Sequence, residues 1–191
     1  ALFHSTEGYI ARGANLMSDM YSLTAIENIA KYLPRAVKDG NDLEARTRVA
    51  FGNTLSGGVM CLTLITSEHA LEHALSAYHP NLPHGAGLIM ISRAYYEYFI
   101  ERHACDERFI HMAQAMGIKD ADKPEDFLTA LTRLQEECGV ADMKMSDYGI
   151  RPEEFETLMR NTREVMGIMF TSDRVQMSDE DIIDIYRKSY K

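Results

Sequence analysis

The chain has 191 residues and a mass of 21.7 kDa, with 20 Lys and Arg against 29 Asp and Glu, which gives a formal net charge of −9. This acidic balance argues against nucleic acid as a partner, because phosphate binding needs a basic face. A composition of 46% hydrophobic and 26% charged residues excludes general disorder, and a chain of this size can fold without disulfides.

The cysteines and the hydropathy pattern predict a cytoplasmic protein. Three cysteines are present, and none forms a Cys-x-x-Cys pair, so a reducing compartment is the simplest interpretation. No apolar run reaches the length of a membrane span, and no signal peptide is visible, so no membrane partner is expected. The sequence begins at Ala1 with a pattern that is already helical, and we expect a fragment that starts inside a helix.

Hydrophobic periodicity predicts helices from one end of the chain to the other, with almost no strand signal. After a first helical segment, the predicted helices cover residues 15–37, 43–67, 67–77, 86–102, 106–116, 125–138 and 152–165, and a last helix starts at Ser178. Pro34 predicts a kink or break, and Asp39 with Gly40 predicts a helix end. All connections are short, so we expect a single all-α, multi-helix domain over residues 1–191.

Histidines carry the chemistry that the sequence suggests. Four of the seven fall between positions 69 and 84. His69 and His73 share a helix face, because residues four apart are neighbours on a helix surface. His84 stands at the predicted start of the next helix, and His4 lies on the first. Since imidazoles bind divalent ions such as Fe(II) and Zn(II), the cluster predicts a metal site. The remaining histidines fit surface or structural roles: His79, His103 and His111.

The segment from His69 to His73 also matches His-x-x-Glu-His, the inverted zincin pattern. In that interpretation both histidines bind zinc, and Glu72 activates a water molecule for peptide hydrolysis. The pattern fixes only three positions and needs a further carboxylate ligand that the sequence does not identify. We therefore interpret Glu72 as a solvated charge on a helix surface. A third interpretation is a non-catalytic helical interaction domain whose histidines are structural.

Three segments resemble the group III, iron-dependent alcohol dehydrogenases. Ala1-Leu-Phe-His-Ser-Thr-Glu-Gly-Tyr9 resembles the family's Asp-Ala-x-x-His-x-x-Glu-Gly segment. The stretch from His69 to Gly87 resembles its long histidine signature, which ends in Pro-His-Gly, and the segment that begins at Ser178 fits its C-terminal helix. The resemblance spans the whole chain. It implies the dehydroquinate synthase-like C-terminal helical domain of that family.

The resemblance implies roles for five residues. His4, His69 and His84 would be the three histidine ligands of the metal. His73 would not bind metal but would lie near the nicotinamide and relay a proton, which makes it the implied catalytic and cofactor-binding residue. Met60 falls where the family lines its substrate channel. Plain core packing is the alternative for Met60, because methionine fills irregular gaps.

The implied activity is that of an alcohol dehydrogenase or aldehyde reductase that uses NAD or NADP. A divalent metal, with Fe(II) the first candidate and Zn(II) the second, would polarise the oxygen of a small alcohol or aldehyde during hydride transfer. The family's fourth ligand is an Asp that would stand just before Ala1. The N-terminal α/β domain with its glycine-rich dinucleotide site is also missing from these residues. We therefore expect a folded but inactive C-terminal domain whose partner is that missing domain; a homodimer is one candidate assembly.

Overall fold

The computed structural model describes residues 1–191 and is all-helical, which confirms the predicted fold class. Nine α-helices follow one another in this order: α1 (Leu2–Ile10), α2 (Leu16–Lys38), α3 (Leu43–Leu62), α4 (Glu68–Tyr78), α5 (His84–Glu101), α6 (Asp106–Ala115), α7 (Glu125–Glu137), α8 (Phe155–Met166) and α9 (Asp179–Ser189). Three short 3-10 helices cover Met145–Tyr148, Pro152–Glu154 and Gly167–Ser172. None of the helices combines the length and the apolar character that crossing a membrane requires.

Local sequence signals explain where several helices begin. The side chain of Asn15 accepts hydrogen bonds from the backbone N–H groups of Met17 and Ser18 and so caps α2. At α9, Ser178 and Asp181 form the reciprocal capping box that their spacing predicts. These caps satisfy backbone donors that the first turn of a helix leaves without partners.

Two predicted boundaries are wrong. Pro34 predicts a kink or break, and the break does not occur, because α2 continues to Lys38. The proline lies about one turn before the end of that helix, and its missing N–H removes a single backbone hydrogen bond. Helix α3 was predicted to reach residue 67 but ends at Leu62, and Thr63 is extended. Residues 63–67 leave the helix because their polar groups bind the C-terminal part of the chain; the hydroxyl of Ser172, for example, donates to the carbonyl of Leu64.

The core is built around α4 and α5, which are buried on most of their surface. Three rings from different helices form one aromatic cluster within it. Tyr96 of α5 lies 5.1 Å from Phe127 of α7 and 6.2 Å from Phe109 of α6, measured between ring centroids. Edge-to-face rings of this kind add favourable energy to the hydrophobic effect of burial. The cluster therefore holds α6 and α7 against α5.

The C-terminal segment is tied to the first helix and to α4. The guanidinium of Arg174 donates to the backbone carbonyls of Ile10 and Ala11, both at 2.9 Å. The hydroxyl of Tyr186 in α9 donates to the carbonyl of Leu71 in α4 at 2.8 Å. These bonds join positions more than 100 residues apart, so both ends of the sequence contribute to one core.

Candidate metal centre

Three helices bring four histidine rings together. His4 comes from α1, His69 and His73 from α4, and His84 is the first residue of α5. The His4 ring stacks on the His69 ring with centroids 4.3 Å apart, and the His84 ring lies 5.3 Å from His69. The His73 ring is 6.2 Å from His69 and 5.5 Å from His84. The structure thus gathers the four predicted residues; which of them bind a metal stays a prediction.

The electrostatics of three of these rings, those of His4, His69 and His73, favour neutral imidazoles. Burial lowers the pKa of His4 to about 3, and the neighbouring His69 adds to the effect. Burial also lowers the pKa of His69 to about 3, and it lowers the pKa of His73. A neutral imidazole keeps a ring lone pair free for a cation.

Two buried carboxyl groups contact the rings. Glu7 of α1 is hydrogen-bonded to Nδ1 of His69, and Glu72 of α4 is hydrogen-bonded to Nδ1 of His84. Both glutamates are fully buried. Burial raises the pKa of Glu7 well above its usual value, because water no longer solvates the charged form.

The prediction that Glu72 is a solvated charge is therefore wrong. The hydroxyl of Ser76 donates to Glu72, whose other oxygen faces His84. Space for the carboxyl group comes from Gly87: a side-chain carbon there would lie only 2.7 Å from Cγ of Glu72. Helical periodicity could not reveal this burial, because α4 is enclosed by protein on most of its sides.

A cavity of about 650 Å³ lies beside the cluster, and His4, His69 and His84 form part of its wall. Most of the remaining wall is apolar and comes from α2, α3, α5 and α7, including Ile29, Leu33, Val49, Leu88, Leu131 and Leu134. Neither Glu7, Glu72 nor His73 lines this cavity. The three histidines that the resemblance implies as ligands therefore share one apolar space, whereas His73 faces elsewhere.

Met60 lies outside that cavity. Its side chain is 48% exposed near the end of α3, so the alternative of plain core packing is wrong. Asn53, seven residues earlier, lines the cavity, and residues seven apart lie on nearly the same helix face. A substrate-binding role for Met60 stays a prediction.

The other histidines have separate neighbours. Nε2 of His79 lies 3.4 Å from Oε2 of Glu154. The His103 ring is hydrogen-bonded to Asp106, and the His111 ring is hydrogen-bonded to the hydroxyl of Tyr9. These three histidines thus lie apart from the cluster, and their surface or structural roles stay a prediction.

Asp173 fixes the start of α4 and was not found from the sequence. Its Oδ1 accepts the backbone N–H of Ser67 at 3.0 Å, and its Oδ2 accepts the Ser67 hydroxyl at 2.7 Å. Because Ser67 directly precedes α4, this carboxyl group positions the helix that carries His69 and His73. Burial raises the pKa of Asp173 to about 7, although the hydrogen bonds from Ser67 oppose the shift. An isolated acidic residue in an irregular segment gives no sequence signal for such a role.

Replacing Asp173 with Asn is expected to reduce the pH dependence of stability between pH 4 and 7. The pKa of about 7 in the folded chain lies above the ordinary 3.8, so the folded state binds this proton more tightly than the unfolded state. The contribution is complete below pH 3.8 and is lost as the pH rises to 7. Urea unfolding at pH 5 and pH 7 should show a larger fall in unfolding free energy for the wild type than for Asp173→Asn. Equal falls in the two proteins would contradict this expectation.

Comparison with known proteins places this arrangement in a family. Residues 1–190 match the family model described as "Fe-containing alcohol dehydrogenase family, C-terminal". The chain is 26% identical to an NAD-dependent methanol dehydrogenase of Bacillus methanolicus over 178 residues, which are 86% of this chain and 43% of that protein. It is 27% identical to a 1,3-propanediol dehydrogenase of Klebsiella pneumoniae, covering 100% of this chain and 49% of that protein.

Solved structures agree with this match. The crystal structure of an archaeal halo-thermophilic alcohol dehydrogenase from a Red Sea brine pool superposes with a TM-score of 0.92 at 30% identity, covering 98% of this chain and 48% of that one. A 1,3-propanediol oxidoreductase superposes with a TM-score of 0.90 at 25% identity, covering 99% and 49%. The chain spans about half the length of the relatives that it matches. It belongs to the Fe-containing alcohol dehydrogenase family and corresponds to the C-terminal helical domain of that family.

Proposed function

We propose that this chain is the metal-binding part of an alcohol dehydrogenase or aldehyde reductase that uses NAD or NADP. The observation that carries the proposal is the convergence of His4, His69 and His84 at the wall of one apolar cavity. The names of two relatives support a small alcohol as substrate, since they refer to methanol and 1,3-propanediol.

The donor set fits a divalent ion. Two of the proposed ligands, His69 and His84, use Nδ1 for a buried carboxyl group, which leaves Nε2 as the ring nitrogen that can face a cation. Imidazole ligands suit Fe(II) and Zn(II), and we propose Fe(II) first because of the family. When bound, such an ion supplies Lewis-acid polarisation of the substrate oxygen.

The protein itself contributes orientation and proton transfer. The apolar wall of the cavity receives the carbon part of a small alcohol. His73 is exposed, and partial burial of its ring lowers its pKa; the ring lies beside His84 but outside the cavity wall. This position suits our proposal that His73 contacts the nicotinamide and passes a proton towards solvent.

We propose that the nucleotide is bound by a second domain. The 191 residues form one helical unit, and they contain no glycine-rich dinucleotide motif. The part of the relatives that this chain does not match is the proposed source of that domain. On this basis the helical unit alone can hold a metal but cannot transfer hydride.

The two alternative interpretations lose their support in the structure. A peptidase base must reach a water molecule, but Glu72 is fully buried and bonded to Ser76 and His84. Membership of a dehydrogenase family supports a role in that enzyme over the interpretation of a separate helical interaction domain.

A metal titration combined with an activity assay tests the proposal. The 191-residue chain is expected to bind one Fe(II) or Zn(II) ion and to show no oxidation of 1-butanol with either NAD or NADP. Absence of metal binding would contradict the proposed site. Turnover by the chain alone would contradict the need for a second domain.

A further inference from the structure

We propose that Glu7 and Glu72 act as a pair of outer-sphere carboxylates that aim two metal-binding histidines at the ion. Glu7 orients His69, and Glu72 orients His84. The proposal rests on the proposed metal site and names the residues that position its ligands. Glu7 and Glu72 are positioning residues, since neither lines the cavity that the histidines share.

Glu7 is held in place by several donors. Its Oε1 lies 3.3 Å from the backbone nitrogen of His69 and 3.4 Å from the hydroxyl oxygen of Thr66, and both groups donate to it. Its Oε2 is directed at Nδ1 of the His69 ring. Because these groups are buried, no solvent water competes for the carboxyl group. Its orientation is therefore set by its hydrogen bonds to Thr66 and His69. Glu7, which lies on α1, therefore fixes the orientation of the His69 ring on the neighbouring helix α4.

Glu72 has an equally complete set of partners. Oε1 accepts the hydroxyl of Ser76, one turn later on α4, and Oε2 meets Nδ1 of His84 at the start of α5. The side chain of His84 is 48% exposed, so packing alone does not fix its ring. The contact with Glu72 supplies the missing restraint. Gly87 leaves room for this carboxyl group, because any side chain there would collide with it.

The chemistry follows from the two ring nitrogens. An imidazole that binds an ion through Nε2 must carry its hydrogen on Nδ1, and that hydrogen then donates to the carboxylate. The carboxylate fixes the tautomer and makes the ring a stronger electron donor towards the ion. His4 has no carboxylate partner in its hydrogen bonds and is restrained by stacking on His69. Two of the three proposed ligands are thus oriented by a buried carboxyl group and one by packing.

Direct coordination by Glu72 is the competing arrangement. Ligand atoms of Glu72, His73 and His84 lie within 4.8 Å of one another, which is close enough for one ion. Both oxygens of Glu72, however, already bind Ser76 and the Nδ1 side of His84, away from the cavity. An ion at that place would have to displace the hydrogen bond that orients His84. The geometry therefore favours the outer-sphere role.

Metal affinity provides the first test. Glu72→Gln and Glu7→Gln keep the size of the side chain and one acceptor oxygen but remove the charge. In competition with a chelator, each variant is expected to bind Zn(II) about 10- to 100-fold more weakly than the wild type, at unchanged stoichiometry. The control Glu164→Gln removes a charge from an exposed position of α8 and should leave the affinity unchanged. Urea unfolding of the metal-free proteins shows whether each variant folds. If one Gln variant does not fold, the metal affinity of the other Gln variant tests the proposal.

Spectra of the Co(II)-loaded chain provide the second test. Exchangeable Nδ1–H protons of Co(II)-bound histidines give strongly shifted NMR signals, and Glu72→Gln should move one of them while the visible bands keep their intensity. Visible bands altered as strongly as in His84→Ala would show direct coordination by Glu72 and overturn the proposal. If the wild type binds metal and both Gln variants bind it as tightly as the wild type does, the outer-sphere role is wrong while the proposed metal site stands. If the wild type binds no metal, the proposed function fails with it.

Discussion

Replacing His84 with Ala is expected to abolish tight metal binding, whereas replacing His73 with Ala is expected to leave it intact. His84 lines the cavity together with His4 and His69, while His73 lies outside it. Removing a ligand should weaken binding by more than the roughly 100-fold that loss of an outer-sphere partner costs. Zinc content after dialysis and the dissociation constant from chelator competition provide the measurement.

His84→Ala also removes the partner of one oxygen of the buried Glu72, so the metal-free variant is expected to lose some stability. Urea unfolding of the metal-free variant therefore accompanies the zinc measurement and shows whether the variant is folded when its metal content is determined. The peptidase interpretation expects the opposite pattern, since its ligands are His69 and His73. Retention of zinc by His84→Ala together with its loss in His73→Ala would contradict our assignment.

Replacing Phe127 with Ala is expected to destabilise the fold by about 3 to 5 kcal/mol. The side chain is fully buried and packs against Tyr96 and Phe109 at centroid distances of 5.1 and 5.5 Å. Truncation would leave a cavity between α5, α6 and α7 that rigid rings cannot fill. Urea denaturation followed by circular dichroism measures the change in unfolding free energy.

Phe51 offers a matched control for this substitution. Its side chain is 45% exposed on α3, so Phe51→Ala should lose much less stability than Phe127→Ala. Similar losses in the two variants would show that the aromatic cluster does not carry the stability that its burial suggests. A loss below about 1 kcal/mol at Phe127 would lead to the same conclusion.

The sequence was sufficient for the helices and for the histidine cluster, because both leave local or short-range patterns. Periodic apolar residues and the capping box at Ser178 are visible in windows of a few residues. His69, His73 and His84 lie within 16 residues of one another in the chain, so their proximity needs only one turn between two helices. His4 lies far from these three histidines in the sequence, and only the resemblance to the family motif connected it with them.

The errors arose where tertiary contacts override local preference. Residues 63–67 have an acceptable helical pattern, but hydrogen bonds to Ser172 and Asp173 draw them out of the helix. Glu72 has the composition of a surface position, yet it is buried because Gly87 on the facing helix leaves room for it. Neither partner can be identified from a single sequence, since each depends on which helices pack together.

The ties between the C-terminal segment and helices α1 and α4 determine when the histidine cluster can form during translation. The ribosome synthesises both helices early, but the carbonyls of Ile10 and Ala11 and the backbone of Ser67 find their partners only in residues 173 and 174. A nascent polypeptide that lacks this stretch has the imidazoles without the framework that orients them. Because domains fold as units, the framework around the histidine cluster can be completed only after residues 173 and 174 have been synthesised.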